Sequence, residues 1–195
     1  GGAAPGRRGR GRCRRTTVGG PRVVRCPGAC QIVGVPENRR PETPRQLVVM
    51  RHAKAEAHGP TDFDRHLADR GVTEAELAGR WLVEQGFVPD HVLVSAALRT
   101  RETWAALADG AGWDADAIET DESETLYEAG PETALDLVRE VPGDALTLLV
   151  IGHNPTMGYL AELLDDGDGD EEASNALVMG YPTTAMTLYD LTDDW

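Results

Sequence analysis

Residues 47–56 read LVVMRHAKAE: four apolar residues, Leu47 to Met50, run directly into Arg51 and His52. A short apolar run of this kind is the pattern of a strand buried on both faces, as in a parallel sheet covered by helices. In open α/β sheets ligands bind outside the carboxyl ends of the strands, so Arg51 and His52 stand where site residues stand. The same pattern returns in LTLLVIGHNP, where the run Leu146 to Ile151 ends in Gly152 and His153. Two strands that each end in a histidine predict one site at one edge of one sheet.

Working outward from these runs, strand and helix patterns alternate from residue 46 onward. TEAELAGRWLVEQG reads as an amphipathic helix with Leu77, Trp81 and Leu82 on its apolar side and Gly86 as its stop. DHVLVS is a second strand and RTRETWAALADGAG a second helix, with a short strand expected near Asp116 to Ile118. PETALDLVREVPG opens a third helix with Pro131, YLAELLD a fourth, and DDGDGDEEAS reads as an acidic, glycine-broken surface loop. AMTLYDL alternates and predicts an antiparallel or edge strand closing the sheet. The pattern as a whole predicts a three-layer α/β/α sandwich on a mostly parallel sheet, with an antiparallel edge strand.

Charge divides the chain at residue 45. Residues 1–45 hold eleven Arg, no Lys and two acids, Glu37 and Glu42, a net of +9; residues 46–195 hold eight basic and 31 acidic residues, a net of −23. The first segment is rich in Gly, Pro and Arg and has no apolar periodicity, so it is expected to be an irregular extension in which only RVV or CQIVGV could add a short edge strand. Residues 46–195 are expected to form the catalytic domain. Cys13, Cys26 and Cys30 all fall in the extension, and their spacing lacks the fourth thiol or nearby histidine of a zinc site. A cysteine-free domain fits a reducing cytosol, and the chain has neither an apolar stretch of membrane-spanning length nor an amino-terminal signal core. These features predict a cytoplasmic protein with no membrane partner and no nucleic-acid partner.

The arginines near the two histidines narrow the chemistry. SAALRTRET places Arg99 and Arg101 just past the second strand. Residues two apart on a helix face different ways, so one of the pair is expected at the site, Arg99, and the other, Arg101, at the surface with neighbouring acids. An arginine keeps its proton and offers a rigid fork of donors suited to phosphoryl oxygens. Imidazoles ringed by guanidinium groups are poor cation ligands, and no metal or cofactor is expected. The combination is suited to a dianion attacked by an imidazole.

These residues resemble the motifs of the histidine phosphatase superfamily. VMRHAKAE is similar to its RHG signature with Ala53 in place of glycine, as in the branch of SixA-like phosphohistidine phosphatases. VSAALRTRET resembles its S-P-A-x-R-x-x-x-T segment with Ala96 in place of proline, and GHNP its second histidine motif. DFDRHLADRG resembles its D-x-x-R-P-L stretch with His66 in place of proline, and YPTTAM its final P-T turn. The resemblance implies the phosphoglycerate mutase-like fold and a covalent mechanism. His52 would attack phosphorus and become phosphohistidine, Arg51, Arg99 and His153 would hold the phosphoryl oxygens, and Arg65 would add a substrate contact. Positive neighbours are expected to lower the pKa of the attacking imidazole and keep it neutral.

Leaving-group protonation asks for a carboxyl group, and TDESETLYEAG supplies Glu122, Glu124 and Glu128. The match of LYEAG to the family's site segment favours Glu128. His58, His66 and His91 follow no apolar run at a strand's end and are expected at the surface or as caps. The gap between Gly71 and the second strand leaves no room for a large lid insertion, which favours hydrolysis over a mutase reaction. A non-catalytic phospho-ligand module would be expected to lack one of the two histidines or two arginines, and all four are present. An open site in an acidic domain favours a phosphorylated protein, by resemblance a phosphohistidine, over a small phosphomonoester.

Overall fold

A computed structural model describes residues 25–27, 44–191 and 195. Six strands, β1 (Arg25–Pro27), β2 (Arg45–Arg51), β3 (His91–Ser95), β4 (Glu119–Ser123), β5 (Thr147–Gly152) and β6 (Met186–Leu191), form one sheet in the order β1-β6-β2-β5-β3-β4. Every pairing is parallel except β2 with β6, which is antiparallel. β6 therefore supplies the expected reversal, although β1 continues the sheet beyond it. β1 falls between the two segments, RVV and CQIVGV, that composition offered for an edge strand. Of the expected extension Pro44 and Arg45 are described too, Arg45 opening β2, whereas residues 1–24 and 28–43, with Cys13 and Cys30, lie outside the described residues.

The apolar run that opened the reading is buried on both faces because β2 is central. Leu47 and Val49 point into one core with Leu93, Leu148 and Val150, against helices α4 (Pro131–Arg139), α5 (Thr156–Leu164) and α6 (Glu171–Val178). Val48 and Met50 point into the other with Val92, Val94, Leu149 and Ile151, against α1 (Asp69–Glu84) and α2 (Leu98–Ala111). Alternation of side chains along each strand thus makes two cores from one run. The short α3 (Thr125–Glu128) follows β4 and adds Leu126 to the first core.

Three expectations shift. The buried face of α1 is Ala75, Ala78, Gly79 and Leu82, while Leu77 is 46% exposed. Small residues win because α1 and α2 touch backbone to backbone: a Cβ on Gly79 would collide with the Leu107 carbonyl, and one on Gly110 with the Glu76 carbonyl. The short strand expected at 116–118 is a 3-10 turn at Ala115–Ala117, and the strand follows it as β4, polar because it is the edge. The last four residues of the acidic stretch, Glu171 to Ser174, are helical, since the Asp170 side chain accepts from the amides of Glu172 and Ala173 and so caps α6.

Candidate active site

β2, β5 and β3 are neighbours and run parallel, so their carboxyl ends come to one edge together. Arg51 pairs in register with Gly152, which puts His52 and His153 side by side with ring centroids 5.1 Å apart. Ser95 ends β3, and the first turn of α2 after it delivers Arg99. Sequence separation among these groups is large; strand register alone brings them together.

His52 is held from several sides. Its amide donates to the Gly152 carbonyl at 3.0 Å, and its carbonyl accepts from the Thr184 amide at 3.2 Å. Its ring Nδ1 lies 2.7 Å from the Ala53 carbonyl, which can only accept, so Nδ1 carries the proton and Nε2 keeps the lone pair. The Ala53 amide donates to Thr103 Oγ1, whose hydroxyl donates to the Arg99 carbonyl, locking the His52 segment to α2. Thr184 sits at a φ of 65°, a left-handed conformation costly for a β-branched residue, in the turn whose amide meets the His52 carbonyl.

Burial, before the arginines, keeps His52 neutral: its pKa falls to about 4, with Arg99, Arg51 and Arg65 lowering it further and the Ala53 carbonyl opposing. His153 falls to about 3 for the same first reason, with Arg99 and His52 adding to it. The expectation from sequence named positive neighbours alone; desolvation is the larger cause. His153 Nε2 lies 2.8 Å from Ser95 Oγ.

The guanidinium groups are tethered but not saturated. Arg51 donates to the Tyr181 carbonyl at 2.9 Å. Arg99, 4% exposed, donates to the Asp62 carbonyl at 2.6 Å and to Asp62 Oδ2 at 3.1 Å. Arg65 meets Asp62 Oδ1 through Nε at 2.9 Å and the Glu56 carbonyl through Nη1 at 2.9 Å. Arg51 Nε, Arg99 Nε and His153 Nδ1 are buried with no protein partner. Buried donors left open cost about 1–3 kcal/mol each, so three at one locus mark a place for an acceptor-rich ligand.

Two residues that sequence reasoning passed over complete the cluster. Asp62 binds Arg99, Arg65 and the Tyr127 hydroxyl, whose donation at 2.8 Å is the main cause holding its carboxyl below the usual range. The D-x-x-R spacing of Asp62 and Arg65 was the available signal. Tyr127 lies edge-on to His153, with ring centroids 5.3 Å apart, and the Arg99 guanidinium stands 5.8 Å from its ring centroid. Glu128, one residue on, is exposed, and no hydrogen bond or ion pair joins it to the cluster. Glu124 is exposed at the start of α3, and Glu122 pairs with Arg101 at 3.6 Å on the outer surface. Among the other histidines, His58 and His66 are exposed, whereas His91 is buried at the opposite end of β3 against Asp121. That burial follows from its place at the start of an interior strand.

Among the described residues no group of three or more His, Cys, Asp or Glu side chains converges as a metal site, and no helix is long and apolar enough to cross a membrane. The family model described as histidine phosphatase superfamily (branch 1) matches residues 47–131. The chain is 38% identical to Rv1276c of Mycobacterium tuberculosis over 148 residues, 75% of this chain and 89% of that one. It is 31% identical to the phosphohistidine phosphatase SixA of Escherichia coli over 123 residues, 63% and 76% of the two chains. A provisionally assigned SixA structure from Agrobacterium tumefaciens superposes with a TM-score of 0.65 at 30% identity, covering 79% of this chain and 99% of its own.

Proposed function

We propose that this chain, which belongs to the histidine phosphatase superfamily and has its SixA-like fold, hydrolyses phosphoryl groups through a phosphohistidine formed on His52. The observation that carries the reading is the tie of His52 Nδ1 to the Ala53 carbonyl, which leaves a neutral Nε2 facing away from its own backbone beside three unpartnered nitrogens. In the first step the Nε2 lone pair attacks phosphorus as the bond to the leaving group breaks. In the second, water attacks the phosphohistidine, releases phosphate and returns the electron pair to Nε2. Arg51, Arg99 and His153 take up the charge that develops on the phosphoryl oxygens, and Arg65 contacts the substrate beyond them. No step calls on a metal ion, because the guanidinium groups supply the countercharge.

The substrate class in this reading is a phosphorylated protein side chain, with phosphohistidine first. The name of the E. coli relative supports it, as does the short connection between α1 and β3, residues 85–90, which leaves no room for a large inserted lid. A departing imidazole needs less protonation than an alkoxide, which is compatible with the exposed placement of Glu128, the acid this reading assigns. A small phosphomonoester is the second reading, favoured by the pairing of Arg65 close to Arg99 through Asp62, which could grip a compact anion.

The test is kcat/KM measured side by side on a phosphohistidine protein, a phosphotyrosine peptide and a panel of small phosphates, each with and without excess chelator. An advantage of tenfold or more for a small monoester, about 1.4 kcal/mol, replaces the protein-substrate reading with the second one. Activity that collapses in chelator refutes the metal-free mechanism. Acid-labile, alkali-stable phosphate on His52 in quenched reactions is the expected intermediate, and label on a Ser, Asp or Cys would overturn it.

A further inference from the structure

The two nitrogens of His153 are treated differently. Nε2 meets Ser95 Oγ at 2.8 Å, while Nδ1 is buried without a protein partner. Ser95 is fully buried at the end of β3, and its hydroxyl oxygen already accepts a long bond, 3.5 Å, from the Ala97 amide. Among the described residues the only acceptor within reach of the hydroxyl proton is His153 Nε2. Two arrangements are conceivable. If Nε2 carried the ring proton, the Ser95 hydroxyl proton would be buried without an acceptor, and a lone pair on Nδ1 would face the anion. If Nε2 accepts from Ser95, the hydroxyl proton and Nε2 are both satisfied, and the ring proton resides on Nδ1, the one nitrogen left open for a ligand oxygen.

We propose that Ser95 is a positioning residue that fixes the tautomer of His153, so that a neutral imidazole offers Nδ1–H to a phosphoryl oxygen. The inference rests on the reading of the cluster as a phosphoryl site. It makes the two histidines opposites: His52 is protonated on Nδ1 by its bond to a carbonyl so that Nε2 can attack, and His153 is protonated on Nδ1 by its bond to a hydroxyl so that Nδ1 can donate. Ser95 is rigid enough for the task. Its carbonyl accepts from Thr100 Oγ1 at 2.7 Å, and its residue pairs in register with Ser123 of β4.

The test is made on the free protein, with the histidines 15N-labelled, in long-range proton–nitrogen spectra near neutral pH. His153 is identified by the signals that vanish in His153→Ala. The wild type should show a protonated Nδ1 and a bare Nε2. Ser95→Ala should move His153 toward the Nε2-protonated form and weaken orthovanadate binding about tenfold, the size of one hydrogen bond to a charged group. Ser95→Thr keeps the hydroxyl and should restore both. A wild-type Nε2-protonated tautomer overturns the proposal whether or not Ser95→Ala folds; so does an unchanged tautomer in Ser95→Ala, or a shifted tautomer with unchanged vanadate affinity. A wild-type protein with the Nδ1-protonated ring and tight vanadate binding but no turnover would refute the hydrolytic reading and leave the role of Ser95 standing.

Discussion

β2 and β5 lie side by side, end at the same edge of the sheet and each deliver a histidine, yet the two imidazoles are held by opposite nitrogens. At the β2 end the chain turns back on itself, and the Ala53 carbonyl captures Nδ1 of the preceding residue. At the β5 end the ring reaches across to β3, and Ser95 captures Nε2. A local contact leaves an attacking lone pair; a long-range contact leaves a donor. On the proposed reading, two histidines that look alike along the chain act as a nucleophile and an electrostatic stabiliser, and what separates them is the partner on the other side of the ring.

The largest expected effect breaks the comparison at its nucleophilic end. His52→Ala should lower kcat/KM by at least about 10⁴-fold and abolish the phosphohistidine, because no other group can take the bond to phosphorus. His153→Ala should cost about 10²- to 10³-fold, the usual size of losing one donor to a developing oxyanion, and alkali-quenched samples should still show phosphate on His52. Equal losses in the two variants would mean that the rings share one role.

The pH response sharpens the comparison further. Both folded-state values, about 4 for His52 and about 3 for His153, lie below the ordinary 6.5, so below pH 6.5 the unfolded chain takes up protons that the folded chain refuses. Stability should be fully present above pH 6.5 and fall as the pH drops towards 4, with His52 contributing on the order of 3 kcal/mol across the window. Urea midpoints from pH 7 to pH 4 should fall more gently in His52→Gln than in the wild type. Activity should persist into mildly acidic solution, because the attacking nitrogen stays unprotonated until about pH 4.

The smallest effect separates the two ends by their surroundings. Tyr127 touches His153 and binds Asp62, and its hydroxyl is the first cause of the lowered Asp62 pKa. Tyr127→Phe should raise the Asp62 carboxyl in a carbon-13 titration while changing kcat/KM by no more than about threefold, since the ring against His153 remains.

What could be read along the chain was whatever short-range pattern encodes. Apolar runs ending in Arg51–His52 and Gly152–His153 determined the central strands and the side of the sheet on which a site would lie, and a helix beginning just past β3 determined that Arg99 and Arg101 would diverge. The sequence also determined that Tyr127 and Glu128 adjoin; the packing of α3 decided that the tyrosine meets His153 and the glutamate faces water. On α1 the periodicity places Trp81 and Leu82 against the core correctly but not Leu77, which is exposed because Gly79 and Gly110 matter through a backbone approach that periodicity does not register. Asp62 as a bridge between two arginines, and Ser95 as the partner of His153, were decided by strand order and by a loop folding over α2, contacts between residues 37 and 58 positions apart. Hydrogen bonds of that range depend on which surfaces the fold brings face to face, and only the tertiary structure holds that information.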